Sequence, residues 1–148
     1  MKSSYNLFLD DIRQPSSVGN YIFPVSLRTL YRLEEWVIVR NYEEFVTTLL
    51  RDGIPAMVSF DHDLADIHYE PEEYKESFEY HEETGYEALK YLVTYCIDHS
   101  LPIPVCHFHT SNTVGKANME AYLKSALNFL DDQNKKEQIK LWELKKKL

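Results

Sequence analysis

Three short apolar runs that stop abruptly in acidic or histidine-rich residues constrain this chain more than any other feature. Leu7-Phe8-Leu9 runs into Asp10-Asp11, and Met57-Val58-Ser59-Phe60 runs into Asp61-His62-Asp63. Ile103-Pro104-Val105-Cys106 ends in His107-Phe108-His109-Thr110-Ser111-Asn112. Short β-rich runs of this kind read as buried parallel strands whose carboxyl ends share one rim. In open α/β sheets that rim is where ligands bind. Carboxylates from two adjacent strand ends make an oxygen-rich site suited to a hard divalent cation. Asp and His at strand ends also serve as turn and cap residues, and a single such end carries little meaning. Three together weigh toward a functional site.

The segments between these runs alternate in character. Strands are predicted at about Tyr5–Leu9, Trp36–Val39, Met57–Phe60 and Ile103–Phe108. Asp10 to Ser17 reads as a loop, and Tyr21 to Glu35 as an irregular stretch or a short helix carrying Leu27, Leu30, Tyr31 and Leu33. Asn41 looks like an N-cap, with Glu43 and Glu44 at the positive end of the helix dipole. Phe45, Val46, Leu49 and Leu50 then form a core-facing stripe that Gly53 stops. Thr84 caps a helix from about Gly85 to His99, and another runs from about Val114 to Leu130. Strands alternating with helices give a parallel sheet with right-handed crossovers. The expected organisation is an α/β domain over 1–130, followed by a charged helix or tail over 131–148.

Composition excludes several function classes. A chain of 148 residues is large enough for one domain with its own core. Its formal net charge of −8 argues against general nucleic-acid binding, which needs a basic face. A small phosphorylated ligand stays compatible with that charge, because a metal supplies positive charge locally. Cys96 and Cys106 sit in apolar stretches and read as small buried hydrophobes, which fits a reducing cytoplasm. The first apolar run is broken by Asp10, so no signal peptide is expected, and no run suffices to span a membrane. Nothing identifies a protein partner.

The polar residues are read as chemistry and as structure side by side. Alternation along the fourth strand puts His107 and His109 on one side and Phe108 on the other. His107 reads as a buried strand residue, and His109, nearer the rim, as functional. Gly115-Lys116 lacks the first glycine of a nucleotide-binding P-loop. What remains is a helix N-terminus after Ser111, Asn112 and Thr113 whose amides can hold an oxyanion or simply be capped by Asn112 or Thr113. Arg13 and Arg40 can fork onto a phosphate or form salt bridges with the acidic rim. The stretch from Asp66 to Glu83 carries seven Glu and one Lys with interleaved aromatics, and reads as an exposed helix or as a lid.

Asp10-Asp11 with Asp61 is the pattern of a response-regulator receiver, in which such acids hold Mg²⁺ and the later Asp accepts a phosphoryl group. A fifth strand ending in Lys is missing, and extra histidines stand at the third and fourth strand ends. The whole set resembles the cyclic-phosphate-processing receiver family. The matching stretches are Leu7 to Arg13 with Pro15, Trp36 to Asn41 with Glu44-Phe45, Ser59 to Leu64, and His109 to Asn112 with Val114-Gly115-Lys116 and Asn118. The resemblance implies a three-layer, receiver-like (flavodoxin-like) α/β fold, with a shortened sheet of four parallel strands in the order 2-1-3-4. It also implies a metal-dependent phosphoesterase acting on a cyclic phosphate of a nucleotide or ribose derivative. In that reading Asp10, Asp11, Asp61 and Asp63 hold Mg²⁺ or Mn²⁺, with Zn²⁺ on the histidines the lesser option. His109 is expected as general acid, and His62 as the base acting on a water held near Asp61. Thr110, Ser111, Asn112, Lys116, Arg13 and Arg40 are expected to contact phosphate. The alternatives are a non-catalytic nucleotide- or protein-binding module and, less favoured, a conventional phosphoacceptor at Asp61.

Overall fold

The sheet carries helices on both sides and buries its central strands, whereas Val37 and Val105 on its edge strands are exposed. The computed structural model describes residues 4–22, 24–64 and 84–147. In chain order these form β1 (Asn6–Leu9), α1 (Pro15–Val18), a 3-10 turn (Val25–Leu27), α2 (Arg28–Leu33), β2 (Val37–Val39) and α3 (Tyr42–Asp52). They continue with β3 (Met57–Phe60), α4 (Gly85–Asp98), β4 (Val105–Phe108) and α5 (Thr113–Lys146). The strands make one parallel sheet in the order β2-β1-β3-β4. This is the four-strand receiver-like architecture expected from the sequence. The acidic, aromatic stretch Asp66 to Glu83 lies outside the described residues.

Strand alternation sorts the core into two layers. Leu7, Leu9, Val58 and Phe60 face α3, α4 and α5, where they meet Phe45, Leu49, Leu89 and Met119. Phe8 faces the other way and packs with Val18 of α1, Ile22 in the stretch after it and Tyr31 of α2. Leu7, Phe8 and Leu9 are all fully buried, as a strand covered on both faces requires. Burial of each such side chain contributes roughly 1.5–3 kcal/mol.

Local chemistry explains the helix boundaries. Asn41 Oδ1 accepts from the Glu44 amide at 2.8 Å, while the Glu44 carboxylate accepts from the Arg40 amide at 2.9 Å. This reciprocal arrangement starts α3 directly after β2. Gly53, at φ 84°, ends it in a conformation that side chains disfavour. Thr84 caps α4 by accepting from the Glu87 amide, and Asn112 caps α5 by accepting from the Gly115 amide at 2.9 Å.

Three local expectations change. The predicted loop after β1 contains the single turn α1, started by Pro15 at its first position, where a missing N–H costs nothing. Leu50, expected inward, is exposed, and Thr48 is buried on that face instead. The helix expected to stop near Leu130 continues to Lys146, because Asp131 to Lys146 contains no Gly or Pro to break it. Lys135 and Asp131 pair along it at 3.2 Å, and Lys145 and Lys146 sit at its negative end. Among the described residues no helix is long and apolar enough to cross a membrane.

Candidate active site

Parallel pairing in register brings the ends of β1, β3 and β4 to a single rim. Leu9 is level with Phe60, and Phe60 with Phe108, so Asp10, Asp61 and His109 emerge side by side. The Asp61 amide donates to Leu9 O at 2.9 Å and the His109 amide to Phe60 O at 3.0 Å, extending the sheet by one residue at both strands. One ligand atom from each of Asp10, Asp11 and Asp61 lies within 4.8 Å of the others. Such a cluster has the donor chemistry of a hard divalent cation.

Asp10 is the most engaged of the three. One oxygen accepts from the Ile12 and Arg13 amides, each at 2.9 Å. The other accepts from Arg13 Nε at 2.8 Å and His109 Nε2 at 3.0 Å. Burial works to raise its pKa, but these hydrogen bonds and the Arg13 charge outweigh burial and hold it well below the carboxylate range. Asp11 has the opposite balance. Burial, then the neighbouring charges of Asp10 and Asp61, push it up to about 6. A neighbouring cation would relieve that repulsion.

Arg13 lies between the acids. Its Nη2 approaches Asp61 Oδ1 at 3.0 Å while Nε holds Asp10, and Nη1 donates to Tyr21 Oη. Burial works to lower its pKa, but the facing carboxylates win and keep the guanidinium charged. Arg40 is used differently: its Nη1 donates to Asp10 O at 3.1 Å and Arg13 O at 2.7 Å. Of the two readings open for these arginines, both guanidinium groups make contacts within the protein. Arg13 binds the acidic rim, and Arg40 fastens the loop that carries Asp10 and Arg13.

His109 is fully buried, with both ring nitrogens engaged. Its ring stacks on Phe8 at 4.4 Å between centroids. Nδ1 lies 2.7 Å from Ser59 Oγ, which lies 2.6 Å from Tyr31 Oη. Burial lowers the His109 pKa, against the Asp10 contact that raises it, so the imidazole is neutral with one proton. Asp10 is ionised and can only accept, which assigns that proton to Nε2. Nδ1 then accepts from Ser59, and Ser59 accepts from Tyr31. The result is a directed chain, Tyr31 to Ser59 to His109 to Asp10, in which every hydrogen points toward the carboxylate. The contact between His109 and Asp10 is therefore a hydrogen bond from a neutral ring rather than an ion pair. Tyr31 is pushed up to about 12 by burial, so it keeps its proton.

His62 occupies the other side of the rim. Its Nδ1 is 2.9 Å from Asp63 Oδ1, and Asn112 Nδ2 approaches Nδ1 and the Asp63 carboxylate only at 3.4–3.5 Å. The shorter contact governs: Nδ1–H donates to Asp63, and Nε2 is left with a lone pair and no hydrogen-bond partner among the described residues. The ring lies on the first turn of α5. A Cβ on Gly115 would stand 2.5 Å from the imidazole carbons. Gly85 plays the same part for the backbone, since a Cβ there would stand 1.6 Å from Asp61 O. Glycine at these two positions lets both helix starts close on the end of β3.

The remaining expected contacts are spread along the rim. Thr110 Oγ1 accepts from the Asn112 amide at 3.1 Å, Asn112 caps α5, and Ser111 is exposed. Lys116 is in the first turn of α5, directly after Gly115. Tyr31, Ser59, Gly85 and Gly115 as the seat of His62 are site residues that sequence reading missed. The one signal for Ser59 is a hydroxyl interrupting an otherwise apolar strand.

The family model describing the cyclic-phosphate processing receiver domain matches residues 5–125. No match to the chain was found among curated proteins or among solved structures.

Proposed function

The chain belongs to the cyclic-phosphate processing receiver family, and from that premise we propose that it is a metal-dependent phosphoesterase opening a cyclic phosphate of a nucleotide or ribose derivative. The observation that carries this reading is the convergence of Asp10, Asp11 and Asp61 within 4.8 Å at the sheet rim. The residues fit a Mg²⁺ or Mn²⁺ ion: all donors are carboxylate oxygens, and Asp11 is raised to about 6 by burial and by the charges of Asp10 and Asp61. Bound there, the cation would neutralise phosphoryl charge and lower the pKa of a water. Zinc fits less well, because His109 has both nitrogens occupied.

The protein's own residues divide the remaining work. His62, with Asp63 holding its Nδ1 proton, offers Nε2 to take a proton from the attacking water. The new P–O bond forms as the ring P–O bond breaks, and the proton held by His62 returns to the leaving alkoxide. Arg13, which spans Asp10 and Asp61, would be free to pair with a phosphoryl oxygen in its fork geometry once a cation balanced those acids. Lys116, in the first turn of α5, adds positive potential. His109 takes a role different from the expected general acid. Buried and doubly bonded, it is a positioning residue that orients Asp10.

A binding module without chemistry is the second reading. The ion pairs from Arg13 to Asp10 and Asp61 favour it, because they neutralise the acids without a metal. Turnover separates the two. Cyclic phosphates are incubated with the protein and Mg²⁺ or Mn²⁺, and products are read by mass. Metal-dependent ring opening that disappears in Asp61→Ala and His62→Ala supports the esterase. Saturable binding with no product supports the module.

A further inference from the structure

A second feature lies on the β4 side of the sheet, away from the acids. A groove of about 630 Å³ runs between α5 and the segment from Pro24 to Tyr31, with β4 as its floor. We propose that this groove is a nucleobase site, so that the ligand is a nucleoside phosphate lying along α5 with its phosphoryl end at the rim. The phosphoryl end rests on the function proposed above, whereas the base site stands on its own observations.

The volume falls within the range of small-molecule sites, about 300–1,000 Å³. The lining combines the apolar surfaces of Leu27, Phe108 and Leu127 with His107, Lys116 and Lys124. The floor decides between an apolar tail and a heterocycle. β4 is the edge strand, and the His109 amide bonds to β3, so alternate residues Cys106 and Phe108 turn their N–H and C=O groups away from the sheet. An acyl chain would bury those groups unpaired, whereas a planar base edge supplies both donors and acceptors.

A polypeptide strand is the poorer occupant. The edge is four residues long, and Pro102 and Pro104 precede it, so a pairing ladder has little room to extend. Charge favours an anion. Lys116 and Lys124 outnumber Glu120 in the groove, in a chain whose net charge is −8. Lys116 also joins the groove to the rim, since it follows Gly115, on which the His62 ring rests.

The test uses the full chain and two probes. Adenosine, added without metal, is followed by amide resonances, and AMP with Mg²⁺ by calorimetry. Adenosine is expected to shift the Cys106 and Phe108 amides. Ala121→Trp, which fills the groove from an exposed position of α5, is expected to abolish those shifts and weaken AMP by at least about tenfold. The Mg²⁺-induced rise in melting temperature should be unchanged in that variant. Leu127→Glu repeats the test from the far end of the groove. Lys116→Gln should weaken AMP and leave adenosine shifts intact. Failure of metal binding or turnover with the adenosine shifts preserved would sink the esterase alone. Unmoved Cys106 and Phe108 amides at millimolar adenosine, or full AMP affinity in both filled variants, would overturn the base site. So would concentration-dependent broadening of those amides without nucleoside, which would mark pairing between two copies.

Discussion

Ser59 Oγ lies 2.7 Å from His109 Nδ1, and both side chains are fully buried. The ionised Asp10 places the proton of the rim histidine on Nε2, and a hydroxyl in the middle of an apolar strand donates to the bare Nδ1. Ser59→Ala would leave Nδ1 and the Tyr31 hydroxyl unpaired in the interior. A loss of about 1–3 kcal/mol is expected. Tyr31→Phe removes only the outermost donor and should cost less, about 0.5–1.5 kcal/mol. Urea denaturation of the two variants checks the order, and an equal or reversed cost would remove the directed chain.

The two histidines should separate by substrate and by stability. His109→Ala is expected to destabilise the fold and to slow turnover alike on natural and activated leaving groups, because the ring acts through Asp10. His62→Ala should leave the melting temperature nearly unchanged and cost roughly 10²–10⁴-fold in rate. Recovery of His109→Ala on a substrate with a good leaving group would restore that residue to the role of general acid.

Two glycines should respond differently to a methyl group. At Gly85 the added Cβ meets the Asp61 carbonyl, a backbone atom that cannot turn aside. Gly85→Ala should therefore destabilise by about 1–3 kcal/mol or more. At Gly115 the obstacle is the His62 ring, 19% exposed and able to swing outward. Gly115→Ala should spare stability while lowering turnover, and thermal melts paired with rate measurements test the contrast.

Asp11 gives the metal-free protein a pH signature. Its folded pKa of about 6 lies above the ordinary 3.8, so the folded state holds that proton more tightly. This contribution is complete below pH 3.8 and is lost as pH rises through about 6. His109 runs the other way: burial lowers it below 6.5, so its contribution is present above 6.5 and lost as pH falls. Asp11→Asn isolates the first effect. In EDTA, its stability relative to wild type should climb from pH 4 and level off above 6; a constant difference would contradict the electrostatic account of Asp11.

Arg13 and a divalent cation should compete. Arg13→Gln removes the charge that now neutralises Asp10 and Asp61, so Mg²⁺ should bind more tightly by about tenfold, or about 1.4 kcal/mol. Phosphate-containing ligands should bind more weakly. Titration of both into the variant measures the split, and parallel weakening would mean that Arg13 organises the acids for the metal rather than competing with it.

The sequence by itself determined the parallel sheet and its rim. Apolar runs such as Leu7-Phe8-Leu9, too short for helices and ending in charge, have few other ways to be buried. Asn41 and Thr84 announced their helices because capping is a contact across three residues, whereas for α5 both Asn112 and Thr113 were open as the cap and the structure selects Asn112. The continuous α5 escaped notice because its exposed second half carries a polar pattern that suggests a boundary, although no residue there breaks a helix. Tertiary structure alone decided what each rim residue touches. Arg13 has identical chemistry on a phosphate or on Asp61, and only the approach of β1 to β3 selects the latter. His109 reads as a rim residue from its position after β4, yet the stacking of Phe8 and the hydroxyls of Ser59 and Tyr31 enclose it. Those partners lie 50 and more residues away, so nothing local to His109 records them. Cap signals and strand patterns are short-range and survive in one dimension, whereas burial and proton placement depend on neighbours that only folding supplies.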